Sequence, residues 1–82
     1  MSPTVLREKG YRFFFFSREE PRIHVHVLSN EGEAKFWLDP QVELAKNYRY
    51  QRRQLKEIQS IIEENYDELI IAWKKYFRSG DY

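Results

Sequence analysis

Two histidines, two positions apart in the segment Arg22-Ile23-His24-Val25-His26-Val27-Leu28, are the residues best suited to chemistry. On an extended strand they share a face, with Cβ atoms about 7 Å apart at a rise of roughly 3.3 Å per residue. That separation suits two ligands of one metal ion, or an acid and a base flanking one phosphate. For a metal, Glu33 is the obvious third ligand, but its reach passes Lys35, whose ammonium repels a cation. The residue types therefore point away from zinc or manganese, and no metal or other cofactor is expected. In the acid–base arrangement His26 is the general base and His24 the general acid. Lys35 then helps twice, by favouring a neutral His26 and by stabilising charge on a phosphate in the transition state, with Arg12 as a second clamp. The chemistry would be metal-independent RNA cleavage. The competing reading makes both imidazoles surface groups stacked on Trp37 and on Phe14 or Phe16 at a protein interface.

A second cluster holds Lys46, Arg49, Arg52, Arg53 and Lys56, interleaved with Tyr48 and Tyr50. Cations among aromatics suit RNA, through phosphate pairing and base stacking. Arg52 and Arg53 near a helix N-terminus also oppose the macrodipole, by roughly 0.3–1 kcal/mol each, so something else should favour them there. Two other readings stand beside this one. The cluster is a solvated helical face balanced by Glu57, Glu63, Glu64, Asp67 and Glu68, or it pairs with an acidic partner protein.

The elements that must position these groups follow from periodicity. Residues 23–28 and 33–38 both alternate, and the turn formers Ser29-Asn30-Glu31-Gly32 join them, with Asn30 and Gly32 able to take positive φ. One hairpin results, with His24 opposite Trp37, His26 opposite Lys35 and Leu28 opposite Glu33. The alternate pairs, Ile23–Leu38, Val25–Phe36 and Val27–Ala34, are wholly apolar and should face the core. Residues 4–7 form a short strand, a turn follows at Glu8-Lys9-Gly10, and residues 11–17 form a strand carrying four consecutive phenylalanines. Residues 18–21 make a charged turn into the hairpin. Four strands with short connections imply an antiparallel meander.

Asp39-Pro40 reads as an N-cap and first helical residue, so a short helix or turn is expected over residues 40–46. From about 51 to 78 the period changes: Leu55, Ile58, Ile62, Tyr66, Leu69, Trp73 and Phe77 make one apolar stripe, widened by Ile61, Ile70 and Tyr76. No good capping residue announces this helix, and Gly80 marks its end. Unbroken, it would be about 40 Å long, against a diameter of roughly 30 Å for a domain of this size. It should overhang the sheet or bend near Asn65. An overhang carrying Trp73 and Phe77 would need a partner to cover it, as would an aromatic sheet face with Phe14, Phe16 and Trp37.

The chain has 82 residues, enough for one domain (1–82) and one core. An aromatic content of 17% compensates for the small interior. With no cysteine there is neither disulfide nor thiolate ligand, which fits a reducing, cytoplasmic setting. The net charge of +1 gives no global attraction to nucleic acid, so a basic footprint must be local. Nothing resembles a signal peptide, and the run Phe13-Phe14-Phe15-Phe16 is too short to span a bilayer.

The stretches PTVLR at residues 3–7, GYRFFFFS at 10–17, HVHV at 24–27, EAKFWLDP at 33–40 and ENYDELIIAWKKYF at 64–77 resemble the small prokaryotic domain-of-unknown-function family 4160. The resemblance implies a gene context like that of a toxin–antitoxin pair, with a small partner protein encoded nearby.

The fold expected is thus α+β, a small antiparallel sheet of about four strands packed by a long C-terminal helix. The function expected is a component of a toxin–antitoxin-like module, acting through protein–protein contact with RNA binding or cleavage. The alternative is a non-catalytic antitoxin or assembly subunit that docks a partner, or a second copy, through its aromatic sheet face and helix.

Overall fold

The computed structural model of the chain describes residues 4–16 and 21–77. Its elements run β1 (Thr4–Glu8), β2 (Tyr11–Phe14), β3 (His24–Ser29), β4 (Gly32–Trp37), β5 (Glu43–Tyr48), α1 (Arg52–Glu64) and α2 (Tyr66–Phe77). The strands form one antiparallel sheet in sequence order, the meander that short connections dictate. The fold is α+β, with five strands where about four were expected. The turn expected at 18–21 falls almost wholly outside the described residues, and the helix stop at Gly80 falls outside them.

The central hairpin has the register its alternation requires. Val25 opposes Phe36 and Val27 opposes Ala34, while His24, His26 and Leu28 oppose Trp37, Lys35 and Glu33. Its turn is tighter than the four residues expected: Ser29 pairs with Gly32, leaving Asn30 and Glu31 at the tip. Neither Asn30 nor Gly32 uses a positive φ. Gly32 is needed for space instead, because a Cβ there would collide with the Tyr48 carbonyl. Positive φ is used between β1 and β2, at Lys9 (53°) and Gly10 (87°), as a two-residue hairpin turn demands.

Inward residues of the sheet, among them Phe13, Val25, Val27 and Phe36, meet Ile58, Ile62, Leu69, Trp73 and Phe77 from the helices in one core. Each such side chain fully buried contributes about 1.5–3 kcal/mol. Two tyrosines fasten the helices to the sheet. Tyr11 donates its hydroxyl to Glu57 on α1 at 2.9 Å, and Tyr66 on α2 donates to the carbonyl of Leu38.

Two expectations fail here. Residues 43–48 form a strand, not part of a short helix or turn. The Asp39-Pro40 peptide is cis and leads into β5, which pairs along β4 from Glu33↔Tyr48 to Trp37↔Glu43. The strand satisfies the backbone groups of β4 that a helix would leave open at a sheet edge. The long helix is also two helices. Asn65 turns its amide back onto the Ile61 carbonyl at 2.8 Å and breaks the run where a bend was one of two expected outcomes. The other outcome, an overhang, does not occur: Trp73 and Phe77 lie in the core, 5% and 8% exposed.

The start of α1, where no good capping residue was expected, is secured by a capping box of Gln51 and Gln54 and by Asn47. Asn47 accepts from the Tyr50 N–H at 3.1 Å and donates to the Tyr50 carbonyl at 3.0 Å. Gln54 then accepts from the Gln51 N–H at 2.9 Å. Among the described residues, no helix is long and apolar enough to cross a membrane.

Candidate functional site

The register of the five strands lays out the sheet face turned away from the helices. One row crosses it as Arg7, Arg12, Leu28, Glu33 and Tyr48, from β1 to β5. The next row holds Phe14, His26, Lys35 and Lys46, and a third holds His24, Trp37 and Glu43. The four residues expected to do chemistry, Arg12, His24, His26 and Lys35, therefore do share a face. Much of this face is wet: Tyr48 is 59% exposed, Leu28 38% and Phe16 37%.

The two histidines have different surroundings. His24 is fully enclosed. Its Nδ1–H donates to the Arg22 carbonyl at 2.6 Å, since a carbonyl can only accept. Its ring stands edge-on to Trp37 at 5.7 Å and to Trp73 of α2 at 5.1 Å, so the helix layer reaches around to cover it. A general acid must touch the leaving group, and an enclosed ring cannot. The expectation that both imidazoles open onto solvent is corrected on this point. His26 is 8% exposed, stacked on Phe14 at 5.5 Å and edge-on to Phe16 at 4.4 Å. It lines an open cleft of about 280 Å³, together with Phe16, Lys35, Lys46, Tyr48 and Glu33.

Cations lie over aromatic rings across this face. The Arg12 guanidinium is 4.7 Å from the Phe14 ring centre. Trp37 takes two, Arg22 at 4.2 Å and Lys35 at 4.5 Å. Arg22 also donates to the Asp39 carbonyl at 2.9 Å and stands 3.6 Å from Glu43. Among the described residues, the outward rows and the ring contacts place Arg7, Arg12, Arg22, Lys35 and Lys46 on this face, with Glu33 and Glu43 among them. The helices carry exposed charge of both signs, Glu63, Glu64, Asp67 and Glu68 beside Arg52, Arg53, Lys56, Lys74 and Lys75.

The second cluster is divided by the fold. Lys46 and Tyr48 belong to the sheet face through β5. Arg49 and Arg53 line a separate hollow with Asn30, Glu31 and Gln54, and Arg52 and Lys56 are exposed on α1. Tyr50 is no stacking platform: it is 5% exposed, packs edge-on against Tyr11 and shares a 2.8 Å hydrogen bond with Ser29. Burial pushes its phenol pKa up.

Of the expected interface residues, Phe16 is exposed, Trp37 half-buried and Phe14 buried under its neighbours. Trp73 and Phe77 pack on Phe15 and on each other. Among the described residues, no group of three or more His, Cys, Asp or Glu is placed to hold a metal ion. Arg7 and Arg22 join the face although they were not singled out as site residues. Arg7 could have been found by counting back from the Lys9-Gly10 turn, whereas Arg22 precedes its strand and carried no signal.

A family model described as a domain of unknown function (DUF4160) matches residues 10–74. No curated protein and no solved structure matches the chain. The matched span runs from the turn before β2 into α2 and so contains the hairpin, the cleft and β5. The chain belongs to the DUF4160 family.

Proposed function

We propose that the chain is a binding module for single-stranded nucleic acid, and that the helix-free sheet face is its binding surface. The observation that carries this reading is the interleaving of cations and rings on that face, with Phe16 and Tyr48 left exposed beside Lys35 and Lys46 around one cleft. Phosphates require the cations, and unpaired bases stack on the rings. A duplex is a poor fit to a sheet face, because its bases are already stacked on each other. Cleavage is not part of the proposal, since the enclosure of His24 removes the general acid from the two-histidine scheme. The toxin–antitoxin-like setting implied by the resemblance is compatible with a binding subunit, and adds no residue to the face.

Fluorescence anisotropy with a labelled single strand of about ten nucleotides tests this. The expected result is saturable binding whose logarithm falls with log salt, with a slope near −3 for about four phosphate contacts. Tyr48→Ala should weaken it by roughly 5- to 100-fold, the effect of one lost base stack. Binding that is absent at low salt, or equal for single strand and duplex, would contradict the proposal.

A further inference from the structure

We infer that the cleft over β3, β4 and β5 reads the base it holds, and that Glu33 is the residue selecting guanine. This inference rests on the binding reading above and specifies it further. The cleft, at about 280 Å³, lies just below the range typical of sites for whole small ligands, so it suits one nucleotide unit. Its lining divides by row. Lys35 and Lys46 are directly paired across the strands, and so are Glu33 and Tyr48, one row away. Rows on one face are about 7 Å apart. A base stacked on the exposed Tyr48 ring therefore lies beside the Glu33 carboxylate, while its phosphate falls over the Lys46 ammonium, the Lys35 ammonium lying farther off over Trp37.

A carboxylate is out of place on a surface that binds phosphodiesters by charge alone, because it repels them. It becomes useful when it accepts hydrogen bonds from a base edge. Guanine is the base that offers two adjacent donors on its pairing edge, N1–H and the N2 amino group, matching both oxygens of one carboxylate. Cytosine and adenine offer one amino donor beside a ring nitrogen that repels the second oxygen. Uracil offers a single N–H between two carbonyls, both of which repel it. The order of affinity should place guanine first and uracil last.

The test uses the full chain and labelled strands of about ten nucleotides: all uridine, and the same with one central guanine or one central adenine. Ribose and deoxyribose versions form separate arms, because nothing in the cleft chemistry distinguishes them. The guanine strand should bind about ten-fold or more tighter than the uridine strand. Glu33→Ala should abolish that gap by weakening binding of the guanine strand, and Glu33→Gln should retain only part of it. Unfolding curves of both variants confirm that the fold is kept. Equal affinities for the strands, or a guanine gap that survives Glu33→Ala, overturns the inference and leaves the binding reading standing. Failure of every strand to bind overturns both, and displacement by polyglutamate as readily as by nucleic acid overturns both and assigns the face to an acidic protein.

Discussion

His26 and Phe14 face each other across the β2–β3 ladder, their rings inclined at only 23° with centroids 5.5 Å apart. Phe16 closes on the same imidazole at 4.4 Å. His26 is thus held by aromatic neighbours at the floor of a cleft. The adjacent His24 is sealed between two tryptophans. Equal spacing on one strand has given the two residues unequal access.

That inequality bears on catalysis. Wild-type protein and His26→Ala should both leave a labelled RNA intact in the presence of EDTA. A cleavage product that depends on His26 would restore the acid–base scheme and require His24 to open.

It also bears on stability. His24→Ala removes a wholly buried ring and the hydrogen bond to the Arg22 carbonyl. Its cost should be about 3–5 kcal/mol in urea unfolding. His26→Ala, at the edge of solvent, should cost about half as much. A reversed order would contradict the enclosure described here.

Trp73 should behave as a core residue. Trp73→Ala is expected to destabilise the chain by roughly 3–5 kcal/mol, whereas Ile71→Ala, two residues from it but 62% exposed, should fall within about 0.5 kcal/mol of wild type. A Trp73 variant of unchanged stability would place that side chain at an interface instead.

Alkaline conditions probe the tie between β2 and α1. Burial, and then the hydrogen bond to Glu57, push the Tyr11 phenol up to about 12. An unfolded tyrosine ionises near pH 10. Between these values the unfolded chain binds fewer protons than the folded one, so stability falls as pH rises, and the contribution is complete below about pH 10. Tyr11→Phe should flatten that decline in a pH series of unfolding curves.

How much of this was legible in the chain depends on what each element buries. The central hairpin buries one face, so alternation of Val25, Val27, Ala34 and Phe36 against His24, His26 and Lys35 gave the facing of each residue, and the short loop gave the pairing. The stripe from Leu55 to Phe77 was readable for the same reason. β5 was not, because most of it is exposed and only Ala45 is half-buried. A strand wet on both sides has no apolar period, and its conformation comes from pairing with β4. The helix break at Asn65 was foreseen as one option because an unbroken helix would be longer than the domain is wide; the amide contact to the Ile61 carbonyl was not foreseen. The sealing of His24 was hidden, since Trp73 is distant in sequence and approaches from the helix layer. Tyr50 looked like part of an aromatic–basic run, yet a single turn after β5 carries it inside.

The most direct test of the central claim is a backbone amide chemical-shift titration with a single-stranded oligonucleotide. The account places the largest perturbations on outward residues of β2 to β5, among them His26, Glu33, Lys35, Lys46 and Tyr48, with little change on α1 and α2. Perturbations concentrated at Arg52, Arg53 and Lys56, or none at all, would contradict it.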